Sequence, residues 1–166
     1  PVHAASLELV GLTLGLCETQ KPSRVVDLGS GFTSFALRRY ALGVPGLEVH
    51  SVDDNAEWLE KTRAYLNEKS LSDTNLAHWP DFAAAGLAGQ FDLVLHDMGF
   101  MDTRFRELEP VLDLAKPGGL VILDDMHKTE YREKALATVA RRGHECWSLK
   151  ALTRDSLTRY VYLVRI

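Results

Sequence analysis

The sequence predicts an α/β fold: a doubly wound, three-layer sandwich on a seven-stranded, mostly parallel sheet with one antiparallel strand near the edge. Three observations predict it. Short apolar runs such as "RVVDL", "FDLVLH" and "LVIL" alternate with stretches of helical period along nearly the whole chain. Most intervals between these runs are long enough for the crossover helix that a parallel pair requires. The last two runs, "HECWSL" and "RYVYLVRI", stand too close together for a crossover and form an antiparallel pair.

Taken in order, residues 4–18 place Leu7, Val10, Leu14 and Cys17 at helical spacing, giving an amphipathic leading helix. "RVVDL" is the first strand, followed by a helix over 34–42. "LEVHSVD" is the second strand, and "NAEWLEKTRAYLNEKS" a helix capped by Asn55 with Trp58, Leu59, Thr62 and Leu66 on one face. "NLAHWP" is a weaker third strand and "FDLVLHD" a strong fourth. A helix over 101–115 stops at "KPGG", which releases the strand "LVILDD". A helix over 129–142 precedes the closing pair. No repeat, low-complexity tract or linker interrupts residues 1–166, which read as one domain.

Bulk properties narrow the function. With 166 residues, 46% of them hydrophobic, the chain supports one substantial core, whereas two domains would both be undersized. A formal net charge of -4 argues against nucleic acid as a partner, and the pairs Arg38-Arg39 and Arg141-Arg142 read as solvated helix faces. Cys17 and Cys146 lack the spacing of a zinc or redox site and read as reduced thiols of a cytoplasmic protein. "ASLELVGLTLGLC" contains Glu8, has no basic region before it and is too short to span a bilayer, so neither export nor a membrane is expected. The sequence opens on Pro1 rather than Met, so a segment upstream of it is one expected means of completing a site.

The stretch "VVDLGSGFTS" carries the first functional signal. Gly29, Ser30 and Gly31 follow the first strand, where an open parallel sheet binds its ligand and where missing Cβ atoms allow close backbone approach. A dinucleotide fingerprint would put a third glycine where Ser34 stands. Asp27, two positions before Gly29, would repel a pyrophosphate and attract a cation. S-adenosylmethionine, with an ammonium, a sulfonium and no phosphate, suits that carboxylate better than NAD. Asp53 ends the second strand, where an acidic side chain accepts ribose hydroxyls of either cofactor. Asp81 and Phe82 read equally well as an adenine site or as a simple turn.

On these residues the chain resembles the class I S-adenosylmethionine-dependent methyltransferases, a Rossmann-like family. "VVDLGSGFTS" is similar to the family's first motif, "VHSVDDNAEWLEKTR" to its acidic second-strand motif and "PGGLVILDD" to the segment entering its fifth strand. The likeness covers nearly the whole chain and implies an enzyme that binds this cofactor through Asp27, Gly29, Ser30, Gly31, Asp53, Asp81 and Phe82. Phe32-Thr33 stand where the family usually has a third small residue, so the loop is a variant.

A second signal lies at the ends of "FDLVLHD" and "LVILDD". Neighbouring strands are about 4.8 Å apart, so Asp97, Asp124 and Asp125 are expected to converge. Three crowded carboxylates repel unless protonated or bridged, and a hard divalent ion such as Mg²⁺ would relieve them. Such an ion would acidify and align an acceptor hydroxyl, leaving one proton for a base. His127 is the candidate base, since an imidazole ordinarily titrates near neutrality. His96 points the other way by strand alternation.

This pattern resembles the metal-dependent O-methyltransferases of the catechol, caffeoyl-CoA and macrolide-sugar types, which implies Asp97, Asp124 and Asp125 as metal ligands, with Asp97 and His127 as the catalytic pair. The catechol type has a lysine where Phe100 stands, so the sugar type fits better. In the alternative, Asp125 caps a helix and Asp97 orients the cofactor of a metal-independent methyltransferase. Lys128, Arg104 and Arg106 read as surface charge, and Trp58, Trp79 and Trp147 as core or cofactor-edge residues.

The expected acceptor is a small hydroxylated molecule, with residues 98–106 and 150–158 as its local contacts. Two readings compete: an NAD(P)-dependent oxidoreductase, and a non-catalytic cofactor-binding module, which the shortage of residues for a lid favours. A partner subunit, as in a homo-oligomer, would also close the site. A hydrolase is excluded, because Ser30 lies in no G-x-S-x-G elbow.

Overall fold

A computed structural model describes residues 5–166. The elements run α1 Leu7–Gln20, β1 Arg24–Leu28, α2 Phe32–Ala41, β2 Glu48–Asp53, α3 Ala56–Glu68, β3 Leu76–His78, α4 Trp79–Ala84, β4 Phe91–His96, α5 Met101–Arg106, α6 Leu108–Leu114, β5 Ala115–Leu123, α7 Thr129–Arg141, β6 Glu145–Ser148, α8 Lys150–Thr153 and β7 Tyr162–Arg165. The seven strands form one sheet in the order β3-β2-β1-β4-β5-β7-β6. β1 to β5 pair in parallel, and β7 runs antiparallel to both β5 and β6. The expected sheet, including its one antiparallel strand beside the edge, is observed.

Strand alternation buries both faces. Val25, Leu93, Leu95 and Ile122 pack with Leu9, Cys17 and Leu37 of α1 and α2. Their strand neighbours Val26, Val94, Val121 and Leu123 pack on the other side with Leu108, Leu112, Tyr131 and Val139 of α6 and α7. Period two with both faces apolar gives the near-continuous hydrophobic runs that the central strands display.

The local differences from expectation have local causes. α1 starts at Leu7, capped by Ser6 Oγ at 3.0 Å from Leu9 N, and the expected residue 4 lies outside the described residues. Val10 and Cys17 are buried as expected, but Leu7 is exposed. The single helix over 101–115 is two, broken at Glu107, because Pro110 lacks an N–H and its ring excludes the carbonyl of residue 106. "KPGG" does not precede β5 but bulges within it: the register passes from Phe91↔Ala115 to Leu93↔Leu120. Among the described residues no helix is long and apolar enough to cross a membrane.

Candidate functional site

Beyond the carboxyl ends of β1, β2, β4 and β5 lies a cavity of about 670 Å³, at the place where α/β sheets bind ligands. One side is formed by Gly29, Ser30, Asp53 and Trp58, the other by Asp97, Asp124 and His127. β1 and β4 approach so closely here that a Cβ on Gly29 would lie 2.7 Å from the carbonyl oxygen of Asp97.

The glycine turn is internally bonded. Gly29 N donates to the Val52 carbonyl at 2.8 Å, Ser30 N to Asp53 Oδ2 at 2.8 Å, and Gly31 N to Ser34 Oγ at 3.0 Å. All three N–H groups of the turn are therefore committed, whereas a pyrophosphate cradle presents such groups to its ligand. Asp53 also accepts Ser30 Oγ at 3.0 Å on Oδ2 and Asn55 N at 3.0 Å on Oδ1, so Oδ1 keeps a lone pair for a further donor. Burial raises the Asp53 pKa despite these bonds.

Asp27 corrects the sequence reading. It is fully buried beneath the turn, and its oxygens accept the Thr33 hydroxyl at 2.8 and 2.9 Å and the Ser34 hydroxyl at 2.6 Å. Burial, opposed by these hydroxyls, pushes its pKa up to about 6. Asp27 ties the first turn of α2 to β1 rather than meeting a ligand. Gly31 likewise stands behind the cavity wall, with Trp58 Nε1 at 3.6 Å from where its Cβ would be.

Asp81 and Phe82 are also corrected. Neither lines the cavity. Asp81 is exposed on α4, and Phe82 is buried against Trp79 and Phe91. The signal for this was present: Trp79 and Phe82 are three apart with Pro80 between them, the pattern of a helix start with one buried face. At the ends of β1 and β2 the cavity wall is instead Trp58, whose Nε1 donates to the Ser30 carbonyl at 2.6 Å.

Across the cavity Asp97, Asp124 and Asp125 converge as expected, but Arg104 is among them. Its side chain, 4% exposed, donates from Nη2 to Asp97 Oδ1 at 2.9 Å and from Nη1 to Asp125 Oδ2 at 2.8 Å. Lys128 Nζ reaches the same Asp125 oxygen at 2.7 Å. Burial acts upward on Asp125, but Arg104 and Lys128 outweigh it and hold the carboxyl below its usual range. Burial and the neighbouring Asp124 raise Asp97 well above that range, and burial and Asp125 raise Asp124. Asp125 has a φ of 60°, a left-handed conformation uncommon outside glycine.

His127 Nδ1 lies 3.5 Å from Asp125 Oδ1 and the side chain is about one quarter exposed at 24%. His96 is buried with Nε2 2.8 Å from the Arg104 carbonyl, facing away from the cavity as alternation predicts. Phe100, 86% exposed, and Leu157 stand at the rim. Arg106 is surface charge as expected, whereas Arg104 is not.

The residues present do not fit Mg²⁺. The oxygen chemistry is suitable, but Arg104 and Lys128 already occupy oxygens of Asp97 and Asp125, and they supply the positive charge that the cluster needs. Among the described residues no group of three His, Cys, Asp or Glu side chains is arranged to hold a metal ion. The expectation of a metal bridging Asp97, Asp124 and Asp125 is corrected accordingly. S-adenosylmethionine does fit: the turn offers no N–H cradle for phosphate, and carboxylates border the cavity from both sides.

No family model matches the sequence, and no curated protein does. Solved structures do. An O-methyltransferase from Bacillus cereus in complex with SAH is 16% identical, with 99% of this chain and 83% of that one covered at a TM-score of 0.76. TomG from Streptomyces achromogenes, an O-methyltransferase involved in tomaymycin synthesis and bound to SAM, is 19% identical, with 100% and 82% covered at 0.71. A precorrin 8W decarboxylase from Methanobacterium thermoautotrophicum is 18% identical, with 98% and 90% covered at 0.62. At these identities the likeness concerns architecture, which hosts more than one reaction. The chain has the Rossmann-like fold of these structures.

Proposed function

We propose that the protein is an S-adenosylmethionine-dependent methyltransferase that methylates an oxygen of a small hydroxylated acceptor without a divalent metal. The observation that carries this reading is the committed glycine turn: with the N–H groups of Gly29, Ser30 and Gly31 all bonded internally, the site favours a phosphate-free nucleoside cofactor over a dinucleotide. The O-methyltransferase structures that share the fold, bound to SAH or SAM, support the same cofactor.

When bound, S-adenosylmethionine supplies an electrophilic methyl group on a sulfonium. Asp53 Oδ1 has a lone pair for a ribose hydroxyl, and Ser30 holds that carboxylate in place. Trp58 walls the same side. On the opposite side, where Arg104 and Lys128 already balance the carboxylates, Phe100 and Leu157 offer apolar surface to the body of an acceptor. His127, with Nδ1 turned toward Asp125, has Nε2 to take the proton of the acceptor hydroxyl. The roles are thus divided between the two sides of one cavity.

Calorimetric titration with S-adenosylhomocysteine and, separately, with NAD⁺ tests the reading. Micromolar binding of the former alone is expected. Binding of NAD⁺ in its place would replace the methyltransferase with an oxidoreductase, and binding of neither by folded protein would overturn the cofactor assignment.

A further inference from the structure

The three carboxylates at the ends of β4 and β5 are hard oxygen donors, and as they stand they are spaced around a guanidinium rather than a metal ion. Arg104 is nearly buried, and its donors are spoken for on the cavity floor. Nη1 donates to Asp125 Oδ2 at 2.8 Å; Nη2 donates to Asp97 Oδ1 at 2.9 Å and to the Asp97 carbonyl at 2.7 Å; Nε faces the Met98 carbonyl at 3.4 Å. Behind it, His96 Nε2 lies 2.8 Å from the Arg104 carbonyl. One guanidinium therefore ties the loop after β4 to the loop after β5.

We propose that Arg104 is the resident cation of this site, a positioning residue that balances Asp97 and Asp125 and keeps divalent metal out. A guanidinium is permanently charged and matches two carboxylates through a rigid fork. Unlike a metal ion it does not exchange with solvent and has no open coordination position for a substrate oxygen. Proton removal then falls to a side chain, a consequence that rests on the methyltransferase reading. The cation assignment itself does not, since it is tested without cofactor or acceptor. Removing the guanidinium frees oxygens of Asp97 and Asp125 beside Asp124, donors of the kind Mg²⁺ and Mn²⁺ take, and leaves only the half-exposed Lys128 on Asp125 for an ion to displace.

The experiment is a titration of the whole chain with Mn²⁺, followed by the electron paramagnetic resonance signal of the free ion. Wild type is expected to leave the signal unchanged at millimolar Mn²⁺. Arg104→Met is expected to bind one ion at least about tenfold more tightly than wild type, and Arg104→Met combined with Asp124→Asn to lose that gain. Arg104→Lys, which keeps a cation, is expected to resemble wild type. If Arg104→Met does not fold alone, folding restored by Mg²⁺ supports the assignment, and failure of Mg²⁺ to restore it overturns it. Micromolar Mn²⁺ binding by wild type, lost in Asp124→Asn, or a folded Arg104→Met that binds no Mn²⁺, would equally overturn it.

Discussion

Ser30 and Asp53 are joined twice: the Ser30 N–H at 2.8 Å and the Ser30 hydroxyl at 3.0 Å both donate to Asp53 Oδ2. The glycine turn after β1 is thereby fastened to the end of β2, and the carboxylate that faces the cavity is oriented before any ligand arrives. Trp58 adds a third strut through the Ser30 carbonyl.

The two residues should therefore separate in a binding assay. Asp53→Ala removes the ligand-facing oxygen and the anchor together, and hydrogen bonds to a charged group contribute about 1.5–3 kcal/mol each. A loss of roughly a hundredfold in S-adenosylhomocysteine affinity is expected. Ser30→Ala keeps the backbone bond and removes only the hydroxyl, so a loss of no more than about fivefold is expected. Calorimetry on both variants checks this, and equal losses would mean that Asp53 acts only by shaping the turn.

Asp27 gives a pH dependence of stability. Its carboxyl has an ordinary value of 3.8, and burial pushes it up to about 6 in the folded chain. Between those values the folded state holds a proton that the unfolded chain has lost, so stability falls as pH rises from about 4 to about 6 and is level above. The interval amounts to about 3 kcal/mol. Asp27→Asn cannot ionise and still accepts a hydroxyl from Thr33 or Ser34. In urea unfolding it should gain on wild type by roughly 3 kcal/mol between about pH 4 and pH 7; parallel curves for the two proteins would contradict the assignment.

What the sequence made legible is what local physics fixes. The strand "RVVDL", the Asn55 cap with its bond to Trp58 N at 3.0 Å, and the antiparallel close of the sheet each follow from signals within a dozen residues. Arg104 depends on α5 meeting the loops after β4 and β5, and a list of charges reads it as surface. Its position still held a clue: Met101, Arg104 and Leu108 fall at i, i+3 and i+7, which puts the arginine on the apolar face. Asp27 shows the opposite failure. A carboxylate next to a ligand turn in sequence is, in space, beneath it, because side chains on a buried strand alternate between the two faces of the sheet rather than projecting from its end.

His127 is separable from cofactor binding. It lines the cavity at the ends of β4 and β5, across from Asp53 and Trp58. Removing a general base typically costs about 10²–10⁴ in rate. His127→Ala should lose about that much in kcat with any acceptor that turns over, while S-adenosylhomocysteine affinity stays within about twofold. A variant with unchanged kcat would transfer the role to another group at the cavity.

Gly29 is expected to be the least replaceable glycine in the chain's first half, and Gly11 provides the control. Gly29 has a φ of 111°, and an added Cβ would sit 2.7 Å from the oxygen and 2.8 Å from the carbon of the Asp97 carbonyl. Both are backbone atoms at the end of a central strand, so neither can swing aside as a flexible side chain would. The unfavourable φ costs roughly 1–2 kcal/mol and overpacking roughly 1–3 more. Gly29→Ala is therefore expected to lower stability by about 3 kcal/mol and to weaken S-adenosylhomocysteine binding as β1 and β4 part. Gly11 lies within α1 with nothing within 4 Å of its Cβ position. Gly11→Ala should raise stability by about 0.5–1 kcal/mol, because alanine loses less backbone freedom in a helix. Denaturant midpoints of the two variants measure the contrast directly, and a Gly29→Ala protein as stable as wild type would refute the close approach of β1 to β4 at the cavity floor.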